Sequence, residues 1–138
     1  MITGLPLISI VGTLSGGVLA KKIAPDRVVL IGFALTIVLS FAMLITQGQV
    51  VVLFLLFFVM GFVPAGSFAA IPHFNERIAD RARATGGIAQ LGNVGTTLGT
   101  PIFVLAYDGG GLWAIGLLMI AFCAFGILCT TSLRRRIK

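Results

Sequence analysis

The sequence predicts an all-α fold, an integral membrane bundle of five transmembrane helices. Of the 138 residues, 58% are hydrophobic and only 10% are charged, whereas a soluble domain of this size carries about a quarter charged residues. The mean hydropathy is +1.12. A chain with so few charges has a surplus of apolar surface, which we expect to face lipid.

Charged residues divide the chain into uncharged stretches that locate the predicted helices. Residues 1–20, 84–107 and 109–133 each suit one span, because a bilayer core of about 30 Å takes about 20 helical residues. Residues 28–75 would form a single helix of roughly 70 Å, so this stretch must reverse direction at its polar break, Thr46–Gln49. Within a single bundle comprising residues 1–138, the predicted spans are 4–20, 27–46, 50–71, 85–107 and 112–132.

The ten basic residues agree with this arrangement. They follow the first, third and fifth predicted spans, at Lys21, Lys22, Arg27, Arg77, Arg81, Arg83, Arg134, Arg135, Arg136 and Lys138. The alternate turns, Thr46–Gln49 and Asp108–Gly111, contain none. Because basic residues stay on the cytoplasmic side, we expect a multi-pass protein of a plasma (inner) membrane. Its C-terminus would lie in the cytoplasm and its N-terminus outside.

Composition also argues against several functions. The net charge of +6 could suggest nucleic-acid binding, but the bases flank apolar stretches instead of forming a phosphate-binding stripe. The chain has one histidine and four acidic residues, and these show neither metal-ligand spacing nor a pairing typical of catalytic sites. We therefore predict that the protein is not an enzyme and binds no cofactor or metal. Cys123 and Cys129 both lie in the last apolar run, on different faces of the predicted helix.

Small residues predict where helices pack closely. Gly12 and Gly16 in the first span, and Gly95 and Gly99 in the fourth, are each four residues apart. In lipid this spacing lets two helix backbones approach each other. We therefore expect the first, third and fourth spans inside the bundle. The second and fifth spans, apolar all round, are expected on its lipid-facing outside.

Polar residues in the fourth span form a stripe. Gln90, Asn93 and Thr97 are spaced i, i+3, i+7 and project from one helix face. Such side chains either line a water-filled cavity or make hydrogen bonds between helices, and both interpretations stay open. Pro64 in the third span similarly predicts either a bending element or a static kink.

The loop after the first span carries a recognisable pattern. Four of its residues match a known signature in character: Gly17, Leu19, Lys22 and Arg27. The loop resembles the Gly-x-Leu-x-Asp-Arg-x-Gly-Arg-Arg signature of the major facilitator superfamily, which joins helices two and three and recurs, degraded, between helices eight and nine. Lys21 stands in place of the aspartate and Ala24 in place of the second glycine, as suits the weaker second copy.

The remaining topology is similar to helices eight to twelve of that twelve-helix family, so the resemblance covers the whole chain. It implies a C-terminal fragment of a secondary active transporter that moves a small solute by alternating access. Such a fragment would not transport alone, because helix seven and the first half of the transporter are missing. The implied partners are the lipid bilayer, an unidentified solute and the missing N-terminal helices. The implied cavity residues are Pro64, Ser67, Gln90, Asn93 and Thr97.

Two alternatives remain. The chain could be a non-transporting membrane scaffold or partner subunit that docks through its glycine-rich faces, or a short protomer of a dimeric transporter. An upstream reading frame encoding about seven further spans would favour the fragment. Solute movement by the isolated chain would favour the dimeric transporter.

Overall fold

The computed structural model describes residues 4–137, which are helical apart from short turns and contain no strand. The all-α prediction is confirmed. The helices are α1 (Gly4–Leu19), α2 (Pro25–Ile45), α3 (Val50–Met60), α4 (Phe62–Phe74) and α5 (Ile78–Ile137). Three helical stretches of the described chain are long and apolar enough to cross a bilayer: α2, the α3–α4 pair and α5. These helices fit a membrane-embedded protein, and the count of five spans stays a prediction.

A tight turn reverses the chain between α2 and α3, within Thr46–Gln49. Gln47 and Gly48 both have positive φ angles, 52° and 81°. The Gly48 N–H donates to the Met43 carbonyl at 2.9 Å, so a carbonyl at the end of α2 that has no partner within the helix is satisfied. At the other end of α2, Pro25 occupies the first turn, where its missing N–H costs nothing.

α5 is broken at two glycines. Gly110 (φ −156°, ψ 15°) and Gly111 (φ 59°, ψ −146°) leave helical geometry, and a positive φ with this ψ is accessible essentially to glycine alone. The kink separates a first arm, residues 78–109, from a second arm, residues 112–137. It falls within the predicted turn Asp108–Gly111.

α2 lies at the centre of the bundle, against α3, α4 and α5. Its buried face carries small residues four apart, Gly32, Thr36 and Ser40, and Ser40 is fully buried. The Thr36 and Ser40 hydroxyls donate to carbonyls one turn earlier, at 2.8 Å each. Buried hydroxyls are therefore satisfied within α2 itself, and the small side chains allow neighbouring helices to approach.

The second arm packs on α2 through glycines. A Cβ added at Gly116 would lie 2.6 Å from the Leu44 side chain, and one at Gly126 would lie 2.5 Å from the Phe33 ring. Near the end of this arm, the Arg134 Nε and Asp26 Oδ2 atoms form an ion pair at 3.1 Å. The second arm is thus fixed to α2 along most of its length.

Within this chain, the expected order of burial is wrong for two helices. α2, expected outside, is central, and the predicted fourth span, in the first arm, has no buried residue between 85 and 107. An apolar helix can face either lipid or other helices, so uniform apolarity does not distinguish an inner from an outer position. The spacing of Gly32, Thr36 and Ser40 is the sequence signal that marks α2 as a packed helix.

Candidate functional site

An open groove separates the first arm of α5 from the rest of the bundle. One part, of about 1040 Å³, lies between this arm and residues of α1 and α3 such as Ile10 and Phe57. A second part, of about 560 Å³, extends beside α2, α4 and the second arm. Four residues line both parts: Met60, Gly95, Thr96 and Phe103. The two parts therefore form one continuous groove.

Helical spacing explains which face of the first arm borders the groove. Its lining residues recur every three or four positions, at Gly92, Gly95, Thr96, Gly99, Thr100, Phe103, Val104 and Tyr107. A Cβ added at Gly95 or Gly99 would meet no atom within 4 Å. These small residues therefore leave open space within the chain instead of contacting another of its helices.

The groove wall is apolar with a few hydroxyl groups. Thr96 donates to the Gly92 carbonyl at 2.9 Å, and Thr36 likewise bonds within α2, so these hydroxyls keep mainly acceptor capacity for a ligand. In the described part of the chain no charged side chain lines the groove. Its chemistry suits an apolar or weakly polar molecule.

The predicted polar stripe lies away from this groove. Gln90, Asn93 and Thr97 are all exposed and none lines the groove. The Thr97 hydroxyl donates to the Asn93 carbonyl at 2.9 Å, within its own helix. The stripe thus occupies a different face of the first arm, without contacts to other helices that would explain its polarity.

Of the two cavity candidates in the third predicted span, the structure places one on the groove. Pro64 lines the part beside α2. Ser67 does not line it, and its hydroxyl donates to the Val63 carbonyl at 2.8 Å. The helix interruption lies at Gly61 rather than at Pro64, because Pro64 falls in the first turn of α4, where a missing N–H is tolerated.

The predicted packing glycines have different surroundings. Gly12 and Gly16 are buried against α3 and α4, and a Cβ at Gly16 would lie 2.9 Å from the Ala65 Cβ. Gly95 and Gly99 border the groove instead. In the loop motif, a Cβ at Gly17 would meet nothing within 4 Å.

The other two motif residues are exposed. Lys22 lines a small cavity at the α1–α2 loop. Arg27 lies in the first turn of α2. The motif residues thus provide a basic loop surface. Among the described residues, no acidic side chain from another helix forms an ion pair with Lys22 or Arg27.

Sequence reasoning missed the residues that form the groove. Thr96, Thr100, Phe103 and Tyr107 continue the helical spacing of the glycines before them. This periodicity is present in the sequence, but selection by polarity favours the amides Gln90 and Asn93 on the adjacent face. A helix face rich in glycine and threonine lines a cavity when no neighbouring helix packs against it.

Comparison with protein families, curated proteins and solved structures finds no match for this chain. Among the described residues, no cluster of three or more histidine, cysteine or acidic side chains is placed to hold a metal ion. The groove, the apolar helices and the distribution of charge are therefore the features that indicate a function.

Proposed function

We propose that this protein crosses a bilayer five times and forms the C-terminal part of a secondary transporter of the major facilitator type. In this proposal α1, α2, the α3–α4 pair and the two arms of α5 are the five spans. All basic clusters then lie on the cytoplasmic side, as expected from the positive-inside rule. The length and apolarity of the described helices support this arrangement.

The observation that carries the transport proposal is the open, uncharged groove beside the first arm. A solute path needs space that helices leave unfilled, and binding sites in transporters lie between helices at membrane depth. The groove provides such space, with Thr96 and Thr100 as hydroxyl groups within an apolar wall. We propose that a small, neutral or weakly polar solute moves along it.

The exposed side of the first arm supports the existence of further helices around this chain. Leaving the Gln90 and Asn93 amides in contact with lipid would be costly, because lipid offers them no hydrogen-bond partner. Helices of the missing N-terminal half, or a water-filled cavity between the halves, would provide those partners. The resemblance of the Gly17–Arg27 loop to the family signature points the same way.

Cysteine accessibility tests this proposal. In a background of Cys123→Ala and Cys129→Ala, a cysteine is placed at Thr96, on the groove, or at Leu98, on the opposite face of the same arm. Membrane vesicles are then treated with a charged, membrane-impermeant thiol reagent. We expect Thr96→Cys to react because the groove contains water, and Leu98→Cys to stay unmodified because lipid covers it.

Other labelling patterns identify the alternatives. If neither cysteine reacts, the groove is filled by lipid or by another protein segment, as expected for a scaffold subunit. If both react equally, the first arm is surrounded by water and the membrane-embedded arrangement is wrong. Asn93→Cys adds information on the polar stripe, since it reacts in a water-filled cavity and is protected in a helix–helix contact.

A further inference from the structure

A second cavity lies at the basic end of the bundle, separate from the groove. It has a volume of about 550 Å³ and lies between the α1–α2 loop and the last turns of α4. The loop contributes Lys21 and Lys22, and α4 contributes Ala69, Pro72 and His73. Two ammonium groups and one imidazole are thus placed around an apolar floor.

The loop holds its two lysines in a defined backbone conformation. The Lys21 N–H donates to the Val18 carbonyl at 3.2 Å, and the Lys22 N–H donates to the Leu19 carbonyl at 2.9 Å. Pro25, directly after the loop, is buried and begins α2. The position of the lysine backbones is therefore set before any ligand binds, although both side chains are exposed.

No acidic group neutralises this cavity in the described structure. Its lining contains no carboxylate, and the acidic residue of the same loop region, Asp26, is engaged by Arg134 at 3.1 Å. Because that ion pair ties the carboxylate to the second arm, the positive charge of Lys21 and Lys22 has no paired negative charge within the cavity. An anion is the missing complement.

We propose that this cavity, here called the loop cavity, binds the phosphate group of an anionic lipid headgroup. The proposal rests on the membrane-embedded part of the proposed function, and it is independent of transport. The cavity lies where the apolar helices α1 and α4 end, at the depth expected for headgroups, and basic cavities at this position attract anionic lipid. Ala69 and Pro72 provide an apolar surface below the phosphate.

Lipid retention by the purified full-length chain tests the proposal. The protein is transferred into detergent micelles that contain either phosphatidylglycerol or phosphatidylcholine, and bound lipids are counted by native mass spectrometry. We expect one phosphatidylglycerol to be retained by the unmodified chain. Lys21→Gln with Lys22→Gln should weaken that binding at least tenfold, on the order expected for two lysines near the headgroup.

Matched variants separate a defined site from general surface charge. Arg81→Gln with Arg83→Gln removes two charges from the same predicted side, outside the cavity, and should leave retention unchanged. Lys21→Arg with Lys22→Arg keeps the charge and should retain most of the binding. Circular dichroism of each variant checks that its helices are formed.

Four results would overturn the proposal. The first is that the Arg81→Gln, Arg83→Gln variant loses as much phosphatidylglycerol as the Lys21→Gln, Lys22→Gln variant, and the second is that the latter variant binds this lipid as well as the unmodified chain. The third is that phosphatidylcholine is retained as well as phosphatidylglycerol. The fourth is that inorganic phosphate displaces the lipid but chloride at matched ionic strength does not. The last result would assign the cavity to a free phosphate instead of a lipid. Labelling of the groove is a separate readout, so failure of the transport proposal would not be confused with failure at the loop cavity.

Discussion

The contact between α1 and the α3–α4 joint gives the sharpest test of the packing. At Gly12 an added Cβ would overlap the carbonyl oxygen of Phe58, with the Phe58 carbonyl carbon at 2.8 Å. From the other side, a Cβ at Gly61 would lie 2.5 Å from the Thr13 amide nitrogen and 2.6 Å from the Ser9 carbonyl oxygen. Backbone meets backbone here, so a methyl group can be accommodated only if the helices move apart.

The size of the effect follows from two opposing terms. Overpacking against a rigid neighbour costs up to about 3 kcal/mol, whereas replacing glycine by alanine within a helix gains about 0.5–1 kcal/mol. We expect Gly12→Ala to lower the free energy of unfolding by about 2 kcal/mol, from these terms together. Gly17→Ala, in the same helix and facing open space, keeps only the favourable term.

Thermal unfolding of both variants in a mild detergent, followed by circular dichroism, measures the difference. Gly12→Ala should melt roughly 5 to 10 °C below the unmodified chain, and Gly17→Ala should melt at the same temperature or slightly above it. Equal melting temperatures for the two variants would show that α1 does not contact the α3–α4 joint through Gly12. The close backbone contact between α1 and the α3–α4 joint would then be wrong.

Three further substitutions test other parts of the fold by the same unfolding measurement. Gly111→Ala should lower the free energy of unfolding by about 1–3 kcal/mol because φ is positive there. Gly109→Ala, with open space around it, should not lower it, and equal effects of the two substitutions would contradict the kink. Asp26→Asn breaks the partly exposed ion pair to Arg134 and should cost at most about 1 kcal/mol, less at high salt; a loss that does not depend on salt would contradict an ionic contact. Leu56→Ala, at a side chain only 2% exposed, should cost about 2–5 kcal/mol, and no loss would mean that the core around α2 is not packed as described.

Two of the breaks between helices, at Thr46–Gln49 and within α5, were predictable because they depend on local chemistry. The reversal at Thr46–Gln49 coincides with the polar residues that interrupt a long apolar stretch, and Gly48 supplies the positive φ that the turn requires. Likewise, the break in α5 falls on Gly110 and Gly111, where a run of glycines favours non-helical backbone. Neither feature needs information about distant parts of the chain.

Helix neighbours were not predictable from apolarity, because lipid and a protein interior select the same side chains. Thr36 and Ser40 lie on the most buried face of α2, although the apolarity of this helix predicts a position on the outside of the bundle. The glycines at 95 and 99 have the same spacing as those at 12 and 16, but only the latter pair meets another helix in this chain. Such spacing predicts that close approach is possible and does not identify the partner.

The candidate site shows the same division between local and distant information. The periodicity that places Thr96 and Phe103 on one face is local and was available from the sequence. That this face borders an open groove depends on the kink at Gly111 and on the bundle opposite, which no local pattern specifies. Gln90 was a reasonable candidate by polarity, but polarity does not determine which side of a helix faces a groove.

The sidedness of the chain in a membrane tests the account most directly. Single cysteines replace Arg81, Asp108 or Arg135 in a background of Cys123→Ala and Cys129→Ala, and an impermeant thiol reagent is applied to sealed vesicles of each orientation. Arg81→Cys and Arg135→Cys should react only from the cytoplasmic side, and Asp108→Cys only from the opposite side. Reaction of Asp108→Cys from the same side as Arg81→Cys would show that the first arm does not cross the bilayer.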